Sequence, residues 1–443
     1  MTDREYLVHD RPMKAILVFA IPMMLASFFQ QIYTLADSII VGRFIGEGAL
    51  AAVGASTALV NVFIAVATSG ATGASVITGR AFGAGRQSEL KDGIVTCIVF
   101  FTALSVLLSV AGLVFCRRIM VALGTPADIL DDSVLYLGIY FLGLPFLFLY
   151  NVLSSIFNSL GRSTIPLVLL VFSSLLNIVL DIVAVAFLDM GIAGAAWATL
   201  FSQALSAVIS SIVLARVVGE FKDCPRGTFS SGSLRQMLSI AVPSILQQSS
   251  ITIGMMLVQS VVNIFGSQVL AGYSAAIRVD GFVTVPFFSL GNAMSSYTAQ
   301  NIGAGRRDRI SKGYHDACIV IAVSGILISI GLTLFHEQIV SLFIADGGSA
   351  EARMAGGGYM SFLGCFYWIL GLAVVTGGVL RGMGRMGLFT LGSIGNLALR
   401  VLGSMTLAPV FGVQVVWYVV PFGWIVYLAL CLAAYRKCTL KGR

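Results

Sequence analysis

The chain runs to 443 residues, 58% of them hydrophobic and only 11% charged, with a mean hydropathy of +0.95. Polar side chains are too few to clothe a water-soluble globule of that size, which excludes a soluble enzyme or binding domain and leaves a protein that spans a membrane. Lys and Arg outnumber Asp and Glu by 27 to 20, but the excess is spread among short loops rather than gathered into a nucleic-acid-binding patch.

The first ten residues, MTDREYLVHD, are polar, and the first apolar run has no small-residue cleavage site, so no removable signal peptide is expected. A helix that crosses a bilayer needs about 20 mostly apolar residues. Uncharged runs predict twelve such spans, near 15 to 41, 49 to 79, 93 to 115, 133 to 157, 163 to 188 and 191 to 215, then 237 to 262, 269 to 300, 317 to 335, 355 to 379, 387 to 409 and 412 to 435. The composition breaks once, at 216 to 236, where charge, Pro, Gly and Ser gather. The expectation is an all-α membrane protein: an amino-terminal six-helix lobe (1 to 215), a cytoplasmic linker (216 to 236) and a carboxy-terminal six-helix lobe (237 to 443).

With the amino terminus placed inside, 21 basic residues fall in inner loops and tails and only Arg43, Arg117, Arg118 and Arg353 in outer loops. That bias predicts both termini in the cytoplasm. The halves also repeat. GRAFGAGRQSELKDG (79 to 93) after the second span returns as AQNIGAGRRDRISKG (299 to 313) after the eighth. Ile21-Pro22 answers Val242-Pro243, Gln30-Gln31 answers Gln247-Gln248, Leu160-Gly161-Arg162 answers Met383-Gly384-Arg385, Asn177 answers Asn396 and Trp197 answers Trp417. An even number of spans separates the copies, so they are expected to point the same way, related by a pseudo-twofold axis along the membrane normal with a cleft between them.

Five charged residues lie within spans: Asp37, Asp181, Arg278, Asp280 and Arg400. Each costs roughly 2.5 to 3.5 kcal/mol there and calls for a cavity or a partner. Asp37 and Asp181 have no acidic counterpart in the second half, so they are not demands of the repeated scaffold. Gln30, Tyr33 and Asp37 share one helical stripe, Asn177 and Asp181 another, and Asn151, Thr199 and Gln203 add polar groups from neighbouring spans. Two carboxylates amid amides and a phenol can share a proton or cage a sodium ion. The candidate coupling residues are therefore Asp37, Asp181, Asn177, Tyr33, Thr199 and Asn151, with any Na+ held at Asp37 and Asp181. Gln30, Asp37, Gln203, Gln247, Arg278 and Asp280 are the candidate substrate contacts, although Arg278, Asp280 and Arg400 most simply pair with one another. Pro22 permits a kink in the first span, with or without a switching role.

Other features carry no chemistry. The seven cysteines form no CxxC pair, the three histidines lie far apart in sequence, and Gly382-Met383-Gly384-Arg385-Met386-Gly387 spells GxGxxG without a preceding strand. Asp128, Asp131 and Asp132 suit the start of a helix. No Walker motif is present, and no cofactor is expected.

The twelve spans, Pro22, Asp37, the repeated GAGR, GRSTIP (161 to 166) and NIVLD (177 to 181) together resemble a multidrug and toxic compound extrusion (MATE) transporter over essentially the whole chain. The resemblance implies export of organic, often cationic, compounds across a bacterial cell membrane in exchange for protons or sodium ions, by a protein expected to be monomeric. It implies that Asp37 and Asp181 match the family's acids in the first and fifth helices, with Tyr33, Asn151, Asn177 and Thr199 lining the same pocket. The seventh helix offers Gln247, Gln248 and Ser249 but no carboxylate, which favours the branch whose coupling acids lie in the amino-terminal lobe. The alternative is a flippase for a lipid-linked precursor of the same superfamily, for which only Arg278 and Arg400 are at hand to hold a pyrophosphate. An intramembrane prenyl transferase lacks its Asp-rich metal motifs here.

Overall fold

A computed structural model describes residues 6–45, 47–221, 227–341 and 349–440; the side chains at 37, 38, 41–43, 47, 49, 50, 58, 439 and 440 lie outside the described set. After a single turn, α1 (Tyr6–His9), come α2 (Pro12–Phe44), α3 (Glu47–Gly83), α4 (Gln87–Ala122), α5 (Leu130–Ser159), α6 (Thr164–Asp181), which runs on into a π-helical turn at Ile182–Phe187, and α7 (Gly191–Gly219). The second half holds α8 (Ser231–Asn263), α9 (Ser267–Val283), α10 (Val285–Gly303), α11 (Arg307–Ser341), α12 (Ala350–Gly364), α13 (Tyr367–Gly382), α14 (Met386–Phe411) and α15 (Val415–Leu440). No strand occurs among the described residues. Among the described residues ten helices are long and apolar enough to cross a membrane, and α12 with α13 makes an eleventh. The α9–α10 pair takes the place of the remaining expected span, so the fold is the twelve-span all-α class, six spans from each half.

Two spans expected to be continuous are broken. The run 269 to 300 is interrupted at Thr284, because Pro286 lacks the N–H that a continuing helix would use. Thr284 turns back there, its N–H and Oγ1 both donating to the Asp280 carbonyl at 3.0 and 2.8 Å. The run 355 to 379 bends by 57° between α12 and α13. At that bend the Cys365 and Phe366 N–H groups donate only three residues back, to Phe362 and Leu363, and the Trp368 indole N–H takes the Cys365 carbonyl. Hydropathy is blind to both breaks, since a broken helix is as apolar as a straight one.

The repeated GAGR is a helix stop. Gly85 and Gly305 sit at φ +68° and +72°, a left-handed conformation that an L side chain resists. The next residue's N–H then reaches five residues back, Arg86 to Ala81 at 3.0 Å and Arg306 to Asn301 at 2.8 Å. Gly161 and Gly384 close α5 and α13 by the same means. Each turn satisfies the last carbonyls of its helix, so a long apolar helix can end within a few residues.

Packing gathers the described chain into two compact units, one holding Ile21–Ile245, the other Tyr6–Ala20 with the chain from Leu246 onward. The change of unit falls inside α2, at Ile21 beside Pro22, and inside α8, two residues beyond Pro243. In the first unit, Thr228 N–H donates to Asp92 Oδ1 at 2.7 Å, Ser230 N–H to Thr96 Oγ1 at 2.9 Å, and Lys91 Nζ to the Phe221 carbonyl at 2.7 Å, which fastens the described ends of the linker to α4. Linker residues 222 to 226, Cys224 among them, lie outside the described residues. In the second unit, Arg309 is buried and spends its charge on carbonyls. Its guanidinium donates to Asn301 Oδ1 at 3.1 Å, to the Leu7 carbonyl at 3.5 Å and to the Asp10 carbonyl, while Asn301 Nδ2 also reaches the Leu7 carbonyl at 3.1 Å.

Glycine sets the helix spacing in the second unit. A Cβ on Gly378 would stand 2.1 Å from the Gly291 carbonyl oxygen, and one on Gly382 would stand 2.5 Å from that of Ser295, so α13 and α10 touch backbone to backbone. Backbone cannot step aside as a flexible side chain can. Gly378→Ala is therefore expected to cost about 2 kcal/mol and lower the melting temperature of the purified protein. Gly387→Ala, whose Cβ would meet nothing within 4 Å, should melt with the parent. Equal melting of the Gly378→Ala variant and the parent would show that the helices are not locked at this contact.

Candidate functional site

The polar centre of the first unit is built on the last two turns of α6. Asn177 and Asp181 are almost fully buried, at 1% and 0% exposure, four residues apart on one face. With the Asn177 nitrogen turned toward the carboxylate, it donates to Asp181 Oδ2 at 2.9 Å and to the Tyr33 hydroxyl of α2 at 3.3 Å, while its oxygen accepts from the Thr199 backbone N–H of α7 at 3.1 Å. One amide thus joins three helices. Asp181 is the last residue before the π-helical turn Ile182–Phe187. Such a turn widens the backbone spiral and recurs at functional sites.

The structure brings together four of the six expected coupling residues' positions: Asn177 and Asp181 on α6, Tyr33 on α2 and Thr199 on α7. Asn151 donates instead to the Leu147 carbonyl of its own helix at 2.8 Å. Asp37 follows Tyr33 by about one turn of α2, and its side chain lies outside the described residues. Gln30 is exposed, its carbonyl accepting from Thr34 Oγ1 at 2.9 Å. Pro22 lies within α2, which runs unbroken through it. Gln203 joins Thr199, Tyr136, Tyr140, Gly143, Ala196 and Leu200 around a small pocket between α5 and α7. Tyr136 and Tyr140 escape a reading by charge. Their spacing with Gly143, i, i+4 and i+7, is the signal that places them on one face, and the Tyr140 hydroxyl is buried with no hydrogen-bond partner among the described residues.

The second unit has its own polar centre. Asp280 accepts from the Tyr367 hydroxyl at 2.5 Å, and Tyr273 packs edge-on against Tyr359, whose ring in turn meets Trp417. The expected ion pairs are not the arrangement found: among the described residues no ion pair within 4.0 Å joins Asp280 to Arg278 or Arg400. The bend before α13 brings Tyr367 over Asp280 in place of an arginine, and Arg278 is exposed. Gln247 is half-buried on α8. Among the described residues no three His, Cys, Asp or Glu side chains gather as a metal site would require.

Among the described residues neither centre pairs a nucleophile with a base, as a catalytic constellation would. Buried acids and amides within membrane helices are instead the apparatus of ion and solute movement. The comparisons with known proteins agree. The MatE family model matches residues 22–183 and again 243–406, once in each half. The chain is 29% identical to the probable multidrug resistance protein YpnP of Bacillus subtilis over 84% of its own length and 83% of that protein's. It is 23% identical to the FAD transporter of Shewanella oneidensis over 85% of this chain and 83% of that one. In fold it superposes on an outward-facing multidrug resistance MATE transporter of the MOP superfamily with a TM-score of 0.92, at 24% identity and over 100% of both chains. None of these three is named as a flippase. Two family matches, one per repeat, together covering most of the chain around the Asn177–Asp181 centre, make this protein a member of the MatE family of membrane transporters and not an enzyme.

Proposed function

We propose that this protein is a secondary active multidrug exporter of the bacterial cell membrane that expels organic, mostly cationic, compounds in exchange for protons or sodium ions. The observation that carries the reading is the buried amide bridge from Asn177 to Asp181, Tyr33 and Thr199. A carboxylate enclosed by neutral hydrogen-bonding groups can accept a proton or a small cation and release it when its surroundings change. Asp37, about one turn beyond Tyr33 on α2, is the proposed coupling residue, and Asp181 its partner. Gln203 and Gln30 are proposed to meet the substrate from α7 and α2, with Gln247, Arg278 and Asp280 serving in the second half. Residues 1 to 215 and 237 to 443 are proposed as the two lobes of the repeat, with linker 216 to 236 and both termini on the cytoplasmic side. The asymmetry of basic residues supports that orientation.

An elementary charge moved through the membrane field is worth about 2.3 kcal/mol per 100 mV. Exchange of ion for drug at one acid can therefore drive export without ATP. Asp37→Asn keeps the shape and removes the titrating charge. The variant is expected to fold and bind dye yet fail to export it from proteoliposomes under an imposed proton or sodium gradient, and Asp181→Asn to lose less. Full gradient-driven efflux by Asp37→Asn would overturn the coupling role and leave the fold untouched.

The amide bridge has its own test. Asn177→Ala keeps both acids but removes a hydrogen bond to a charged group, a loss worth about tenfold. Initial rates of gradient-driven dye efflux should fall by that order at equal expression. A rate matching the parent's would mean that Asn177 only packs.

A further inference from the structure

We infer that Arg381 forms a binding site for the anionic group, carboxylate or phosphate, of an amphiphile. It lies in the last turn of α13, and the arrangement around it is one of a charge held ready without a counter-charge. Its Nη2 donates to Asn292 Oδ1 of α10 at 3.0 Å, and the guanidinium lies 5.7 Å from the centroid of the Phe389 ring. Its Nε is buried and has no acceptor among the described residues.

Four other arginines are provided for, whereas Arg400 shares with Arg381 a buried Nε that has no acceptor among the described residues. Arg86, Arg117 and Arg162 meet Glu89, Asp131 and Glu220 at 3.2, 2.7 and 3.5 Å, and Arg309 lies among carbonyls. Arg381 has no carboxylate within 4.0 Å among the described residues. A cation set among apolar helices with donors unspent is costly, and an arriving anion removes that cost. A planar guanidinium is also the group best shaped for two oxygens at once.

The place is open. From Ser289 to Asn301 every residue of α10 is buried except Asn292, and Arg381 is half-buried beside it. Nor is the charge a demand of the repeated scaffold. Counting back from Met383-Gly384-Arg385 and from Leu160-Gly161-Arg162, the residue that answers Arg381 in the first half is Asn158, which is neutral. A ring face, an amide and a cation together fit an aromatic or acyl body that ends in an acid.

The inference rests on the export reading for its cargo, but it is tested by binding alone. Two dyes share one ring system: rhodamine 110 carries a free carboxylate, and rhodamine 123 is its methyl ester. Their affinities for the purified full chain are measured by fluorescence polarisation in nanodiscs of phosphatidylcholine, with and without phosphatidylglycerol. Arg381→Gln is expected to weaken rhodamine 110 by about tenfold and leave rhodamine 123 unchanged, with Arg381→Lys between, which places a cargo acid at the site. The ester also reports that the variant is folded. If a lipid phosphate is the natural occupant, phosphatidylglycerol competes with rhodamine 110 in the parent and ceases to do so in Arg381→Gln. Equal affinity of parent and Arg381→Gln for rhodamine 110 in both lipids would overturn the site. Failure of the parent to expel rhodamine 123 under any gradient would sink the export reading instead, so the two failures are told apart.

Discussion

A charge inside an apolar bundle must be answered by its neighbours, because no water is at hand to do so. For Asp181 the answer comes from Asn177, one turn earlier on the same helix. An amide has two donor hydrogens and one acceptor oxygen. Asn177 spends them on the carboxylate, on the Tyr33 hydroxyl and on the Thr199 N–H, so one side chain fixes α6, α2 and α7 against each other. The same economy makes the centre responsive. If the carboxylate gains a proton or a cation, it changes what it asks of Asn177, and Asn177 is the group through which α2 and α7 would feel it.

The second unit meets the same constraint with different means. Its acid, Asp280, lies one turn before the break at Thr284, and its partner Tyr367 opens α13 just after the bend. Both irregularities therefore flank one hydrogen bond. Helix breaks free backbone groups that need satisfying, and here Thr284 and the Trp368 indole take them up. The close contact of α13 with α10 through Gly378 and Gly291 holds that geometry from the other side. A bent helix stays in place only when its neighbour leaves it no room to straighten.

Length and hydropathy made the twelve spans and the repeat legible, because an apolar run long enough to cross a bilayer has few other uses. The ends were less so. The span expected at 317 to 335 is α11, Arg307–Ser341, since charged residues that read as loop are helical turns beyond the apolar run. The breaks at Thr284 and Cys365–Phe366 were hidden, Pro286 being the one local sign of the first. In the site, Asn177, Asp181, Tyr33 and Thr199 were found by polarity within apolar runs, whereas Tyr136, Tyr140 and Tyr367 were passed over. A tyrosine in a membrane helix counts as apolar in a hydropathy sum, yet its hydroxyl supplies the hydrogen bond. Asp280 was paired with arginine on sign alone, and the nearest donor proved to be a phenol. The clasp of Arg309 on Leu7 and Asp10 joins residues some 300 positions apart and leaves no local trace.

The repeat shows which properties a duplicated scaffold keeps. The glycine stops at 85 and 305, and at 161 and 384, agree in conformation because the backbone dictates them. The polar centres do not agree. Asn396 answers Asn177, but it packs against Gly423, where a Cβ would come within 2.2 Å of its Oδ1, and Gly423 stands where the first half has Gln203. Asp181 is answered by Arg400, and Tyr367 stands where the first half has the buried Leu144. Helix ends are thus held in common, while the breaks at Thr284 and at Cys365–Phe366 have no counterpart in the unbroken α3 and α5, and the groups that touch charge have been rewritten one half at a time. Positions where the repeat does not keep its side chain are where the chemistry of this transporter is to be sought.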